Sequence, residues 1–168
     1  MAMEREEMHA DRGASRRDCR ERTMVRWKKR IETAETGSWT RIVIPDLNAW
    51  CYRRYGLVDF HLTQMLSGHG CFGEYLQKRK RRDDPGCVDC GAASDDANNV
   101  FFRCDRWSRK RRSLEGVIGR EFDPKTVVGA MLTGSKDWDA VQSFVNIMQQ
   151  KREDEERDRQ RAEAARQN

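Results

Sequence analysis

Cys87 and Cys90 stand two residues apart, and Cys104 closes an apolar Val-Phe-Phe run further along the chain. Thiolates in a CxxC turn suit one tetrahedral zinc ion, and a third sulfur returning from a later segment extends that set. Pro85-Gly86 before the pair and Gly91 after it relieve the backbone where it bends around an ion. The fourth corner is open. Asn99, five residues before Cys104, offers only a neutral amide oxygen; His69 and Cys71, in the turn SGHGCFG, reach the cluster only if that turn folds back; water or an incomplete site are the other outcomes. The competing reading makes Cys104 a small core residue beside Phe101 and Phe102, with the CxxC spacing due to chance.

A second chemistry surrounds the cysteines. Lys78, Arg79, Lys80, Arg81 and Arg82 precede them, and Arg103, Arg106, Arg109, Lys110, Arg111 and Arg112 follow. From 75 to 115 there are eleven basic and seven acidic residues, a net +4. Guanidinium and ammonium groups neutralise phosphates, and aromatic rings stack on unpaired bases, so the combination suits RNA or DNA. Phe101, Phe102 and Trp107 could serve as such rings or as buried core, and the arginines are the better candidates for contacts.

Catalytic arrangements are harder to find. Asp95-Asp96 lacks the apolar flanks of a magnesium-binding polymerase hairpin, and Asp83-Asp84 follows a basic run; both pairs read as turn residues that bond local backbone. A zinc deaminase requires H-x-E and P-C-x-x-C, whereas PGCVDC carries an intervening glycine and no histidine here has a glutamate two residues on. No Gly-rich phosphate loop or nucleophile elbow occurs. Binding is what remains, without a small-molecule substrate.

The elements that must position these residues are mainly helical. Met24, Trp27 and Ile31 recur at helical spacing after a charged start, giving a long helix whose first half is weakly held. WTRIVIP, rich in β-branched residues and ended by Pro45, reads as a short extended segment. Leu47 and Trp50 start a helix, Leu62, Met65 and Leu66 mark a second, and Phe72, Tyr75 and Leu76 a third, with Gly68 and Gly70 between the last two. VFFR reads as a short strand and DRWSRKRRSLEGVIG as a helix with Trp107, Leu114 and Ile118 on one side. A helical pair follows Pro124, its second member marked by Trp138, Val141, Val145 and Met148. Beyond Gln150 only alanines are apolar; Glu153 with Arg157 and Glu155 with Arg159 are spaced to hold a solvated helix.

The expected architecture is therefore a compact, mainly α domain over 24–150 with a zinc-knuckle-like Cys-rich insert at 85–106. Charged helical extensions flank it at 1–23 and 151–168. At 168 residues the chain is about one domain long, and its 36% charged residues exceed the roughly 25% of ordinary globular proteins. A net charge of +5 favours polyanionic partners. The start, MAMEREEMHADR, has no apolar signal-peptide core, and no stretch approaches the ~20 apolar residues of a membrane span. A nuclear or cytoplasmic protein that is not secreted, with six reduced cysteines and no membrane partner, is the expectation.

Taken in order, RW, GSWTRIVIP, LTQMLSGHGCFGEYL, CVDC, DDANNVFFRCDRW and the final Trp-bearing helix resemble the C-terminal region of non-LTR (LINE-type) retrotransposon reverse transcriptases. The likeness covers about residues 24–155 and is nearest the arthropod lineage that inserts into ribosomal DNA. The resemblance implies a region following the polymerase domain, with a Cys-Cys-His-Cys knuckle that maps onto Cys87, Cys90, Asn99 and Cys104. This chain departs from that pattern at the histidine. It further implies a non-catalytic grip on RNA or target DNA during target-primed reverse transcription, with the polymerase portion of the parent polyprotein as partner and RNA-directed DNA polymerase activity residing there. The alternative is a zinc-stabilised protein-interaction module, or a relic of the element without function.

Overall fold

A computed structural model describes residues 15–167, and every regular element among them is helical. The first, α1 (Arg16–Thr33), opens on a capping box: Asp18 N donates to Ser15 Oγ at 3.2 Å, and Ser15 N donates back to Asp18 Oδ2 at 3.1 Å. It crosses the expected boundary at 23 without a break; the charged stretch before Ser15 lies outside the described residues. Arg41 closes its far end, donating to the carbonyls of Ile31, Ala34 and Thr36 at 3.1, 3.0 and 2.8 Å. Ile31 O lacks a partner within the helix and the other two carbonyls follow it, so one guanidinium ties the exit turn to the helix end.

The segment expected to be extended is instead α2 (Ser38–Val43). Tertiary contacts override its β-branched composition. Trp39 Nε1 donates to Met65 O at 2.7 Å and Thr40 Oγ1 to Leu66 O at 3.0 Å, bonds that two consecutive side chains could not both make from opposite faces of a strand. The acceptors belong to α4 (Phe60–Ser67), which follows the short α3 (Leu47–Cys51). Asp59 caps α4 through Leu62 N at 2.8 Å, and its second oxygen accepts from Gln142 and Asn146 at 2.7 and 2.8 Å. A single carboxylate thus starts one helix and fixes it to another.

After α4 and α5 (Gly73–Lys78), the cysteine segment leads into α6 (Ser108–Ile118) and α7 (Val127–Met131). The chain ends on α8 (Ser135–Gln167), against which α4, α6 and α7 pack. Trp138, Val141, Val145 and Met148 form the apolar stripe of α8, and all are buried. Trp50 stacks on Trp138 at 5.6 Å between centroids, and Tyr55 meets it edge-on. Gly56 (φ +83°) lies so close that a Cβ there would sit 2.3 Å from the indole, so only glycine fits. Removing that indole by Trp138→Ala should cost about 3–5 kcal/mol.

Burial on α8 does not end with the apolar stripe. Gln149, Arg152 and Glu156 continue it at spacings of three and four and are buried too. The ion pairs expected further along are replaced: Glu155 meets Arg106 and Lys151, Arg157 meets Asp154, and Arg159 meets Glu156. Glu155 is drawn inward to the cysteine segment, which leaves Arg159 to the preceding acid.

Candidate zinc knuckle and its basic flanks

The CxxC turn is set by local bonds. Gly86 N donates to Asp84 Oδ1 at 2.8 Å, Cys87 N to Ala92 O at 2.8 Å, and Gly91 N to Cys87 O at 2.9 Å, with Gly91 in the left-handed region at φ +70°. Val100 to Arg103, expected as a strand, lies instead in a single π-helical turn, Asn99–Arg103. Its wide turn follows from tertiary demand: Val100 and Phe101 must both enter the core, where each is fully buried. The defining bond runs from Cys104 N to Asn99 O at 2.7 Å. That i to i+5 link holds the third cysteine beside the residue at the fourth corner.

The three sulfurs lie within 4.8 Å of one another, with Cys87 and Cys104 4.0 Å apart. Zn–S bonds of ~2.3 Å at tetrahedral angles demand sulfur separations of about 3.8 Å, so the thiols fit an ion between them. A disulfide would need ~2.05 Å, and all three are free. Backbone N–H groups favour the thiolates: those of Cys90 and Asp89 for Cys87, Ala92 for Cys90 and Arg106 for Cys104. Burial works the other way, raising the Cys87 thiol and pushing Cys104 up to about 12. Cys90 is lowered, first by the Asn99 side chain. Without a cation the buried thiols stay protonated, and a bound divalent ion supplies the charge that releases their protons.

Of the fourth-ligand candidates, Asn99 is beside the cluster, its amide 3.5–3.7 Å from Cys90 Sγ. The others point elsewhere. Cys71 donates to Arg152 O at 3.5 Å, and burial raises its thiol to about 11. His69 is exposed and rests against Tyr75 with ring centroids 4.9 Å apart.

Asp95 is not a local turn residue. It is 1% exposed and bonds across the fold, accepting from Gly73 N at 2.9 Å and from Arg152 at 2.5 Å, with Arg82 at 3.7 Å. Asp96 does bond locally, accepting from Asn99 N at 2.7 Å. The sequence offered no signal for the Asp95–Arg152 pair, whose members are far apart and each sit among many like residues.

The basic flanks divide. Lys78 pairs with Glu74, Arg82 reaches Asp95 and Gly86 O, Arg106 grips Asp89 and Glu155, and Arg111 donates to the carbonyls of Phe101, Arg103 and Cys104. Arg79 lies over the Tyr75 ring. Lys80, Arg81, Arg103, Arg109, Lys110 and Arg112 are exposed and have no acidic partner among the described residues. Lys80 also has φ +56° at the end of α5, where Lys80 N donates to Gln77 O and Arg81 N to Leu76 O. This double bond pattern normally takes glycine, and a side chain there costs ~1 kcal/mol. The aromatic candidates are core: Phe101 and Trp107 are buried, and Phe102 stacks on Phe122 at 4.6 Å. No helix of the described residues is long and apolar enough to cross a membrane.

No family model and no solved structure matches the chain. It is similar to proteins named Retrovirus-related Pol polyprotein from type-1 retrotransposable element R1. The identity is 32% over 63 residues to that of Popillia japonica, covering 36% of this chain and 26% of the relative. It is 29% over 84 residues to that of Bradysia coprophila, covering 50% and 8%. It is 27% over 137 residues to the R1 2 protein of Nasonia vitripennis, covering 79% and 32%. The chain thus spans about a third or less of the length of these curated relatives. Ordered motifs and relatives agree: the chain is a non-LTR, R1-type retrotransposon-related region.

Proposed function

We propose that the chain is a non-catalytic nucleic-acid-binding segment of a LINE-type Pol polyprotein, gripping RNA or target DNA during target-primed reverse transcription. The observation that carries this reading is the set of exposed cations, Lys80, Arg81, Arg103, Arg109, Lys110 and Arg112, that have no acidic partner among the described residues and lie on both sides of the cysteine segment. Cys87, Cys90 and Cys104 would hold zinc, whose part is structural: it fixes the loop from which Arg103 and the start of α6 project. The non-catalytic part of the reading is supported by Asp95, which is committed to Arg152 and Gly73 N rather than to a magnesium site.

The test is anisotropy titration of labelled RNA and DNA oligonucleotides across a salt series. Replacing Arg103, Arg109, Lys110 and Arg112 by glutamine should weaken binding. The log-log salt slope should flatten by about 0.7 for each lost single-strand contact. Unchanged affinity and slope would sink the proposal. A second reading, a protein-interaction module docking on the polymerase portion of the polyprotein, is favoured by the exposure of Leu57 and Phe60, 88% and 68%. Binding of that kind would be nearly salt-independent.

A further inference from the structure

The turn SGHGC leads α4 into α5 and takes no part in the cysteine cluster. Gly68 ends α4 in the left-handed region, and a Cβ on it would sit 3.1 Å from Trp39. A Cβ on Gly70 would sit 3.0 Å from Gln64. Both glycines are therefore pressed against their surroundings, and His69 is held out between them on a turn with little freedom. Its imidazole is exposed on one side and leans on Tyr75 on the other, tilted by 31°. The Arg79 guanidinium lies 5.1 Å from the same tyrosine ring. Three flat groups from two elements thus form one cluster, of which His69 is the exposed ring.

Open space borders this cluster on both sides. A groove of about 960 Å³ runs along α8, and a second of about 920 Å³ runs toward Trp39; His69, Tyr75 and Arg79 belong to both. Glu153 and Glu156 on the first wall are already engaged, by His61 at 3.4 Å and Arg159 at 3.3 Å. Lys80 and Arg81 follow directly, free of acidic partners among the described residues, with Lys80 kept in a backbone conformation that glycine would adopt more easily.

We propose that His69, Tyr75 and Arg79 form a stacking platform for an unpaired base of single-stranded nucleic acid, with Lys80 and Arg81 on the adjoining phosphates. The proposal rests on the nucleic-acid reading above and adds to it a site and a strand preference. A flat, exposed ring backed by another is the surface on which a base stacks, and a duplex cannot offer a base face without unpairing. The cations one turn away meet the phosphates that accompany that base. The left-handed Lys80 puts a cation directly after Arg79 at the end of α5, at some expense in stability.

The experiment uses the full chain with a 12-nucleotide single-stranded RNA, the same sequence as DNA, and the corresponding duplexes, followed by anisotropy. His69→Ala, at an exposed position, should weaken both single strands about tenfold and leave the duplexes unchanged. Tyr75→Leu should do the same. Lys80→Gly should raise the melting temperature by a few degrees while weakening single-strand binding. Crosslinking of RNA carrying 4-thiouridine should label the peptide containing His69 or Tyr75. If His69→Ala and Tyr75→Leu, both folded by circular dichroism, bind single strands like wild type, the platform is wrong, although a loss on replacing Arg103, Arg109, Lys110 and Arg112 would keep the broader reading. If wild type binds no oligonucleotide, both fail. Equal weakening for duplex and single strand also overturns the platform, since it would reduce these residues to general phosphate contacts.

Discussion

Two ion clusters join the cysteine segment to the long helix α8, on different terms. At Asp95 the carboxylate is 1% exposed and meets Arg152, Gly73 N and, more distantly, Arg82. At Arg106 the guanidinium, about a quarter exposed, makes a two-point fork to Glu155 at 2.9 and 2.5 Å and reaches Asp89 at 3.0 Å. Arg152 and Glu155 are three residues apart on one helix, yet one cluster belongs to the core and the other to the rim. Both gather charges of both signs; access to water is what separates them. In the core, a lost partner leaves a charge that water cannot reach, whereas at the rim water takes the vacant place.

The largest expected effect follows from that contrast. Asp95→Ala should lower unfolding free energy in urea by about 3–5 kcal/mol, because Arg152 stays buried with no carboxylate. Arg106→Gln should cost no more than ~1 kcal/mol. Combining Asp95→Leu with Arg152→Met should recover much of the loss, since a well-packed apolar pair of similar volume often replaces a buried ion pair without penalty. Equal losses for Asp95→Ala and Arg106→Gln would break the distinction between core and rim.

The cysteine cluster sits between the two and gives the next effect. Zinc at a hundredfold excess over its dissociation constant should stabilise the chain by about 2.7 kcal/mol, provided it binds only the folded state. Asn99→His places an imidazole where the amide now lies beside Cys90 and should tighten binding, each tenfold gain adding ~1.4 kcal/mol at fixed zinc. Competition with a mild chelator should strip the wild type first. Identical retention by wild type and Asn99→His would mean that this corner does not face the ion. Absence of zinc binding with reduced cysteines would leave Cys87, Cys90 and Cys104 as packing residues.

How much of this was legible in the sequence depended on whether a signal was local. Helical periodicity gave α4, α5, α6 and α8, because Leu62-Met65-Leu66 and Trp138-Val141-Val145-Met148 repeat within one turn or two. CxxC followed by a later cysteine brought three thiols together on spacing alone. Failures came where distant partners overrode local preference. WTRIVIP became helical because Trp39 and Thr40 reach α4 carbonyls, and VFFR became a π turn because two successive side chains had to enter the core while Cys104 stayed near Asn99. The buried run past Gln150 carried no apolar signal, since Arg152 and Glu156 fill positions that periodicity reserves for leucine. His69 was visible as an unusual residue, but whether it faced sulfur or Tyr75 depended on how its turn closed.

The smallest expected effect lies at the rim and is read by acid. Arg106 holds the Glu155 carboxyl below its ordinary value of 4.5, chiefly through their hydrogen bond, with Lys151 adding a lesser share. A carboxylate whose folded value is depressed contributes stability above its unfolded value, and that contribution fades as pH falls through the folded one. Glu155→Gln should therefore melt below wild type at pH 7, by an amount equivalent to less than ~1 kcal/mol given the one-third exposure of the side chain. As pH falls below 4.5 the two melting temperatures should converge, because wild type takes up the proton that the variant never needed. Raising salt at pH 7 should narrow the gap as well, as screening weakens a pair open to solvent. A gap that persists unchanged to pH 3 would mean that Glu155 serves α8 through packing rather than charge, and the rim cluster would then differ from the core one in position alone.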